Sequence, residues 1–495
     1  MDIQEGVKLI NDLEKKYPVE KWNIEDLHIW PLIRILLACS FESTNKILSN
    51  DKNIIYRYLF FLKNTIRYIR AYLYDYKNNS KIEKNDVILL KNSNRFYYNG
   101  WYDSVSQPLI DCFQEKNMKT LVLEIAQKNE YRVPRYGKSK YIQVQINLLL
   151  AKSKLGLDND ISDVSYNLDN YDDFCAYLKK NIPSLKIPTL TELQKSYRRL
   201  LLLKDYFVKI LLKCRPKLAF VECYYSTIQH AFILACKELK IPIIDIQHGV
   251  QGNLHVAYGN WSKVPVSGYE MLPDYFWCWS QHEVDAINKW RGSLETHIPL
   301  NYGNPFLEKW KNGDGKMIEH FQKKYESIKV DKDKINILYT LQTETPFPEW
   351  IFDVIKKHKN EFFWWIRLHP MMFLEKTKYI KMFSEFANCN IDMASDLPLL
   401  TLLNNIDIHV TYHSSTVIEA EHFNVPSIIL HKNAIEMYNE QVKNGHCFLA
   451  NKETFVKIVR KLLDEKATIK KVQEKSNYNL HRILDDLMFQ IKYFV

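Results

Sequence analysis

The run IPIIDIQHGVQGNLH, residues 241–255, drives an apolar, strand-like stretch into Gln247, His248 and Gly249. An imidazole at the carboxyl end of a buried strand can take a proton near neutral pH, and a glycine beside it lets a substrate come close. One apolar run earlier, LAFVE ends on Glu222, a second candidate for base or nucleophile, or the group that orients His248. A carboxylate closing so apolar a run must be paired or protonated, because burial disfavours its charge. Other polar residues share this address. Gln342 follows KINILYTL, Arg367 and His369 lie in WIRLHP, and His413, Ser414, Ser415 and Thr416 lie in HVTYHSSTVIEA. The last of these passes from strand to helix, where free N–H groups, the helix dipole and hydroxyls make an anion site. Ordinary N-capping by Ser or Thr accounts for the same residues. Glu419, in the first turns of that helix, suits ribose hydroxyls or simply complements the dipole. His369 can donate to a phosphate, with Pro370 fixing the turn, and Arg367 can do the same or pair with a core carboxylate. SNRFYYNGWYDS offers Asn94, Arg95 and Asp103 as an acceptor-binding loop, with Gln247 on the same side; such an aromatic loop also suits domain packing.

These positions need a scaffold that brings strand ends together. From Asp86 onward the chain alternates short apolar runs (DVILLKNS, KTLVLEIA, PKLAFVECYYS, PIIDIQHG, DYFWCWS) with helical periods such as TIQHAFILACKELK and QHEVDAINKW. A second set repeats the pattern: KINILYTL, EFFWWIRLHP, IDIHVTYHSS and VPSIILH, with PEWIFDVIKKHK and ETFVKIVRKLLDEK among the helices. Such alternation predicts parallel sheets covered on both faces. Ligands bind beyond the carboxyl ends of such sheets, where strand order reverses. The expected fold class is α/β, with two Rossmann-like doubly wound domains facing across a cleft and an N-terminal helical segment. The expected divisions are a helical segment over 1–84, an acceptor domain over 85–294, a linker over 295–334, a donor domain over 335–477 and a last helix over 478–495. In the first segment, DLHIWPLIRILLACSF reads as an apolar helix broken by Pro31. The aromatic stretch that follows carries Arg57, Lys63, Arg67 and Arg70, and suits either an anionic membrane surface or packing on the next domain.

Composition narrows the function classes. The 495 residues carry a net charge of +10 with 46% hydrophobic residues, which fits a globular chain with anionic partners. The basic residues are scattered among 58 acidic ones, so nucleic acid is not indicated. Nine dispersed cysteines without a CxxC pair argue for reduced thiols rather than a disulfide or zinc framework. The start, MDIQEGVKLINDLEKKYP, lacks the pattern of a signal peptide, and no run is apolar enough to span a bilayer. A cytoplasmic protein is expected, its aromatic-basic stretch open either to packing on the next domain or to peripheral contact with an anionic membrane. The acidic steps DND (158–160) and DKD (331–333) fall in predicted loops, so no metal and no cofactor is expected.

An HP step ending one strand and an SS/ST step opening a later helix of the same domain resemble the donor domain of GT-B glycosyltransferases. The resemblance is strongest to families using cytidine-activated donors: bacterial sialyl- and polysialyltransferases, the Kdo transferases of capsule and O-antigen synthesis, and CDP-glycerol glycerophosphotransferases. IPLNYGNPFLEKW is similar to the inter-domain GNP step of such enzymes and puts Asn304 on the donor side. The resemblance implies a metal-independent transferase that takes a nucleotide sugar, CMP-Kdo or CMP-sialate, and an oligosaccharide or lipid-linked glycan. His369 and Ser414–Thr416 would hold the phosphate and Glu419 the ribose. A DDG-like step supplies the acid/base in the sialyltransferases. This chain has QHG there, closer to the WHG-like step of the glycerophosphotransferases, whose histidine is the base. Three other readings share the architecture: CDP-polyol phosphate transfer, nucleotide-sugar 2-epimerisation, and a non-catalytic subunit of a polysaccharide assembly complex.

Overall fold

The structure is a computed structural model that describes residues 3–44, 82–92, 96–126, 132–154, 164–313, 315–328, 333–343, 345–468 and 477–494, with positions 66, 69 and 73. The chain divides into two units, Met1–Pro305 with Asn479–Val495, and Phe306–Tyr478.

The first unit is built on a parallel sheet of β1 (Val87–Lys91), β2 (Thr120–Glu124), β3 (Lys140–Tyr141), β4 (Leu218–Glu222), β5 (Ile243–Ile246), β6 (Tyr275–Cys278) and β7 (Ile298–Asn301). The spatial order is β3-β2-β1-β4-β5-β6-β7, with every neighbouring pair parallel. Strand order therefore reverses between β1 and β4. β1, β4, β5 and β6 are buried at every position, as a sheet covered on both faces requires. Register sets Leu90 beside Val221 and Glu222 beside Ile246, so the residues that follow leave the sheet at one level.

Ahead of this sheet lie α1 (Ile3–Lys16) and α2 (Trp30–Thr44). A small antiparallel ribbon of Asn23–Ile24, Leu27–His28 and Tyr166–Asn167 accompanies them. The all-helical reading of this segment misses that ribbon. Pro31 does not break a helix either: it is the second residue of α2, where its missing N–H costs nothing. Ile10, Leu13, Trp30, Ile33 and Leu37 are buried in one core with Phe207, Ala231 and Phe276, so this segment is part of the first unit. Helices α3 (Gln107–Glu115), α4 (Leu190–Cys214), α5 (Thr227–Glu238) and α6 (Gln281–Arg291) link the strands. Capping boxes start α4 (Thr189 with Glu192) and α6 (Ser280 with Glu283).

The second unit carries β8 (Ile335–Thr340), β9 (Phe362–Arg367), β10 (Cys389–Asn390), β11 (Ile408–Thr411), β12 (Ser427–Ile429) and β13 (Cys447–Leu449). Their order is β10-β9-β8-β11-β12-β13, again all parallel, with the reversal between β8 and β11. Its helices include α7 (Glu349–Lys357), α8 (Thr416–His422) and α9 (Phe455–Thr468). At its centre His409 is fully buried, with one ring nitrogen 2.9 Å from Thr340 Oγ1 and the other 2.9 Å from Ser427 Oγ. Three neighbouring strands are stitched through one neutral ring.

The last helix, α10 (Leu480–Phe494), belongs to the first unit, where Leu484, Leu487 and Ile491 pack with Leu109, Ile110 and Phe113 of α3. The alternation of the sequence thus predicts the fold class. Its linker does not match the structure. Residues 295–334 contain β7 and two helices, Pro305–Asn312 and Lys316–Glu326, because the short IPLN run pairs with β6. Among the described residues no helix is long and apolar enough to cross a membrane. Arg57, Lys63, Arg67 and Arg70 lie outside the described residues, as do Asn94, Arg95, the DND step and two residues of DKD.

Candidate functional site

In the first unit the reversal between β1 and β4 is bridged by polar groups. Glu222, 2% exposed at the end of β4, accepts the Asn92 N–H at 3.1 Å through Oε2. Gln229 of α5 donates to Asn92 Oδ1 at 3.2 Å and to the Glu222 carbonyl at 3.4 Å. Cys223 follows with φ of 65°, a left-handed conformation that a side chain tolerates only where its surroundings enforce it. Farther along the sheet edge, Lys91 lies 3.6 Å from Asp103 and 3.8 Å from Glu124, and Arg135 Nε lies 3.0 Å from Glu124.

His248 is half-buried just past β5. Its Nε2 is 3.5 Å from the Tyr225 hydroxyl, and Tyr225 also faces the ring of His255 at 5.4 Å. His255 in turn packs on Tyr258 at 4.9 Å, and Tyr258 donates to Asp245 at 2.8 Å. Burial raises the Asp245 carboxyl well above its usual range. Burial, helped by the charge of Arg34, pushes His255 down to about 4, so its ring is neutral. The imidazole is thus set in a box of tyrosines and a second histidine.

The N-terminal segment holds the wall of this box. Arg34 donates to the carbonyls of Val256 at 2.7 Å, Gly259 at 2.9 Å and Asn260 at 3.2 Å, and stacks 4.2 Å over Trp261. Its charge is met by Glu14, which also accepts from Trp30 Nε1 at 2.8 Å and Ser262 N at 2.6 Å. Arg34 and Glu14 are both fully buried. Within the same loop, a Cβ at Gly259 would meet the Gly252 carbonyl at 2.2 Å, so backbone packs directly on backbone.

Two residues expected to face an acceptor instead turn inward. Asp103 is 1% exposed, accepts the Val105 N–H at 2.9 Å, and bonds the Ser106 hydroxyl through its other oxygen. It staples the turn into α3 and pairs with Lys91. Gln247 is also 1% exposed; it accepts Trp279 N–H at 2.7 Å and donates to the Gly249 carbonyl at 3.0 Å, tying the end of β5 to that of β6.

In the second unit the reversal between β8 and β11 is bridged by Gln342 and His413. The amide oxygen of Gln342 accepts the His413 N–H at 2.8 Å, and its nitrogen lies 2.9 Å from His413 Nδ1. Beyond His413, Ser414 Oγ and Thr416 Oγ1 are 3.1 Å apart, and Ser414 N donates to Thr411 Oγ1 at 3.2 Å. Ser415 occupies the N-cap position of α8 but makes no capping bond through its hydroxyl. Glu419 is half-buried in the first turns of α8, and Asn304 is half-buried just ahead of the helix at Pro305. His369 is exposed beyond β9, its Nδ1 accepting Met371 N–H at 3.3 Å. Arg367 departs from the phosphate role: its Nη1 donates to the carbonyls of Ala394 at 2.6 Å and Leu397 at 2.5 Å. Burial lowers the guanidinium to about 10.

The sequence reading omits Tyr225, His255 and Tyr258, which sit in loops without periodicity, and Asp245, a buried carboxylate inside β5. It also omits His431, although that residue follows the apolar run of β12 as His369 follows that of β9. The His431 ring stacks on Tyr412 at 5.5 Å and lies 6.4 Å from His413. Histidines therefore follow three strands of this sheet: β9, β11 and β12.

No protein-family model matches the chain, and no curated protein does. Several solved structures resemble it. A UDP-GlcNAc 2-epimerase from Methanocaldococcus jannaschii, in complex with UDP-GlcNAc and UDP, gives a TM-score of 0.47 at 16% identity over 81% of this chain and 99% of its own. The UDP-GlcNAc 2-epimerase from Neisseria meningitidis bound to UDP-GlcNAc gives 0.49 at 14% identity, over 82% and 100%. The glycotransferase of kitacinnamycin gives 0.43 at 11% identity, over 79% and 93%.

Proposed function

We propose that the chain is a nucleotide-sugar enzyme of GT-B type, a glycosyltransferase that moves a sugar from a CMP-activated donor to a polysaccharide or glycolipid acceptor. The observation that supports this reading is that Gln342, His369, His413, Ser414, Ser415 and His431 all follow the carboxyl ends of β8, β9, β11 and β12, with Gln342, His413 and His431 in contact around the reversal. That is the part of a doubly wound sheet where phosphate and ribose bind. The imidazoles and the Ser415 hydroxyl would supply donors to the leaving phosphate, so that the transfer step would need no divalent cation. His248, seated against Tyr225, would accept the proton of the acceptor hydroxyl as that oxygen attacks the anomeric carbon. Glu222 would orient the turn that positions it, or serve as the base itself.

The test is nucleotide release from CMP-Kdo, CMP-sialate, CDP-glycerol and UDP-GlcNAc, with and without glycan acceptor, in buffer containing a chelator. Acceptor-dependent CMP release is expected, falling at least ~100-fold in His248→Ala or Glu222→Gln, the usual range for a lost general base. Conversion of UDP-GlcNAc to its C2 epimer without any acceptor would replace transfer by epimerisation. Release from CDP-glycerol alone would make the reaction polyol-phosphate transfer. Turnover untouched by both substitutions would remove the catalytic assignment.

A further inference from the structure

Away from the strand ends, α3 and α10 bring three unlike metal-binding side chains together. Cys112 and Glu115 are one turn apart on α3, so they share a face of that helix. His481 lies in the first turn of α10, and its Nε2 is 2.9 Å from Glu115 Oε2. The Cys112 sulfur, a Glu115 oxygen and a His481 nitrogen all lie within 4.8 Å of one another. Among the described residues no other three His, Cys, Asp or Glu side chains meet that distance.

We propose that Cys112, Glu115 and His481 form a three-ligand site for a divalent cation of zinc type, which clasps the C-terminal helix to the first unit. The donor set selects the ion. Calcium and magnesium take oxygen donors, whereas sulfur, imidazole nitrogen and one carboxylate oxygen together suit zinc. Tetrahedral zinc, with bonds of about 2.0–2.3 Å, holds its ligand atoms roughly 3.3–3.8 Å apart, so small side-chain rotations close the triad. Glu115 and His481 are largely exposed, which leaves the fourth position to water. The nearby cation Lys116 is held by Asp485 at 2.7 Å, so its charge is already balanced. Binding is a substitution: the Cys112 thiol loses its proton to solvent as the sulfur–metal bond forms, and the His481–Glu115 contact gives way to two bonds to the ion.

The location gives the site a task. The chain leaves the first unit after Pro305 and rejoins it at Asn479, two residues before His481. Downstream, α10 is held by the apolar contacts of Leu484, Leu487 and Ile491. Leu480 and Ile483 pack on the same core, and a metal bond at His481 would add a polar tie between them.

The experiment uses the full chain, stripped with a chelator and kept reduced, titrated with cobalt(II) and then zinc. The expected result is one equivalent of cobalt with a thiolate charge-transfer band and tetrahedral d–d absorption, both bleached by zinc. Zinc should also raise the melting temperature in proportion to the logarithm of its free concentration. Cys112→Ser should abolish the charge-transfer band. His481→Gln, an exposed substitution that leaves the core intact, should weaken binding at least tenfold. An absent charge-transfer band in the wild-type chain would overturn the proposal. So would a band that survives in Cys112→Ser, which would assign it to another of the nine cysteines, or zinc binding indifferent to His481→Gln.

Discussion

At the scale of single residues, the tripeptide Gln247-His248-Gly249 shows that neighbours in sequence can do unrelated work. Gln247 is spent on backbone groups just past the ends of two strands, whereas His248 is half-buried beside the Tyr225 hydroxyl. Gly249 is different again. A Cβ built there meets nothing within 4 Å, and its φ lies outside the left-handed region, so the folded chain itself does not demand a glycine. That makes Gly249→Ala a clean probe of whether a substrate does. Its effect on stability should be neutral or favourable by up to about 1 kcal/mol, because alanine restricts the unfolded chain. Turnover should fall by as much as ~100-fold if the extra methyl displaces a bound acceptor by about an ångström. Urea unfolding and steady-state kinetics on the same preparation separate the two effects. An active alanine variant would mean that the glycine has no role in substrate approach.

At the scale of elements, the strands were legible because a strand buried on both faces must be a mainly apolar run, and LAFVE, PIIDI and YFWC are apolar but for Glu222 and Asp245. Strand order was not legible, since hydrophobic runs do not say which run lies beside which; the two reversals come from the structure alone. IPLN was misread because four residues followed closely by a glycine carry as much turn signal as strand signal. The loop after His248 was opaque for another reason: its shape is imposed from more than 200 residues away by Arg34, as the 222-residue separation of the Arg34–Val256 bond shows. That dependence can be measured. Arg34→Met leaves the Glu14 carboxylate buried without its cation and should cost roughly 3–5 kcal/mol in urea unfolding. Glu14→Gln in the same background should recover part of the loss, since the stranded charge is gone. Arg34→Lys keeps the charge but cannot serve three carbonyls with one planar fork, so it should fall between. A loss below about 1 kcal/mol for Arg34→Met would mean that the segment lies against the loop without holding it.

At the scale of the whole molecule, both units bury histidines that must stay neutral. Burial pushes His230 and His297 in the first unit, and His409 in the second, from 6.5 down to about 3. His297 shows why geometrically: its Nε2 accepts the Tyr269 N–H at 3.1 Å, while Nδ1 lies 2.7 Å from the Pro273 carbonyl, so one tautomer fits and the cation does not. The sign follows from proton uptake. Below pH 6.5 the unfolded chain binds a proton at each such site and the folded chain does not, until pH approaches 3. The stability contributed is complete above 6.5 and falls with pH by about 1.4 kcal/mol per unit for each histidine. Asp245 acts in the opposite direction, because its raised pKa makes the folded first unit hold a proton that the unfolded chain gives up. The absolute slope of that unit therefore mixes opposing contributions, from His230, His255 and His297 on one side and Asp245 on the other, and a difference between variants is the sharper measurement. His230 suits it, because neither ring nitrogen has a hydrogen-bond partner and its ring lies 6.1 Å from that of Tyr224, so an apolar residue loses no bond there. His230→Leu should remove one proton from the uptake of the first unit. Its stability relative to wild type should then improve by about 2 kcal/mol between pH 7 and pH 5, followed by urea titration at each pH. Parallel pH dependences in the two proteins would show that His230 titrates alike folded and unfolded, and that its burial carries no penalty in acid.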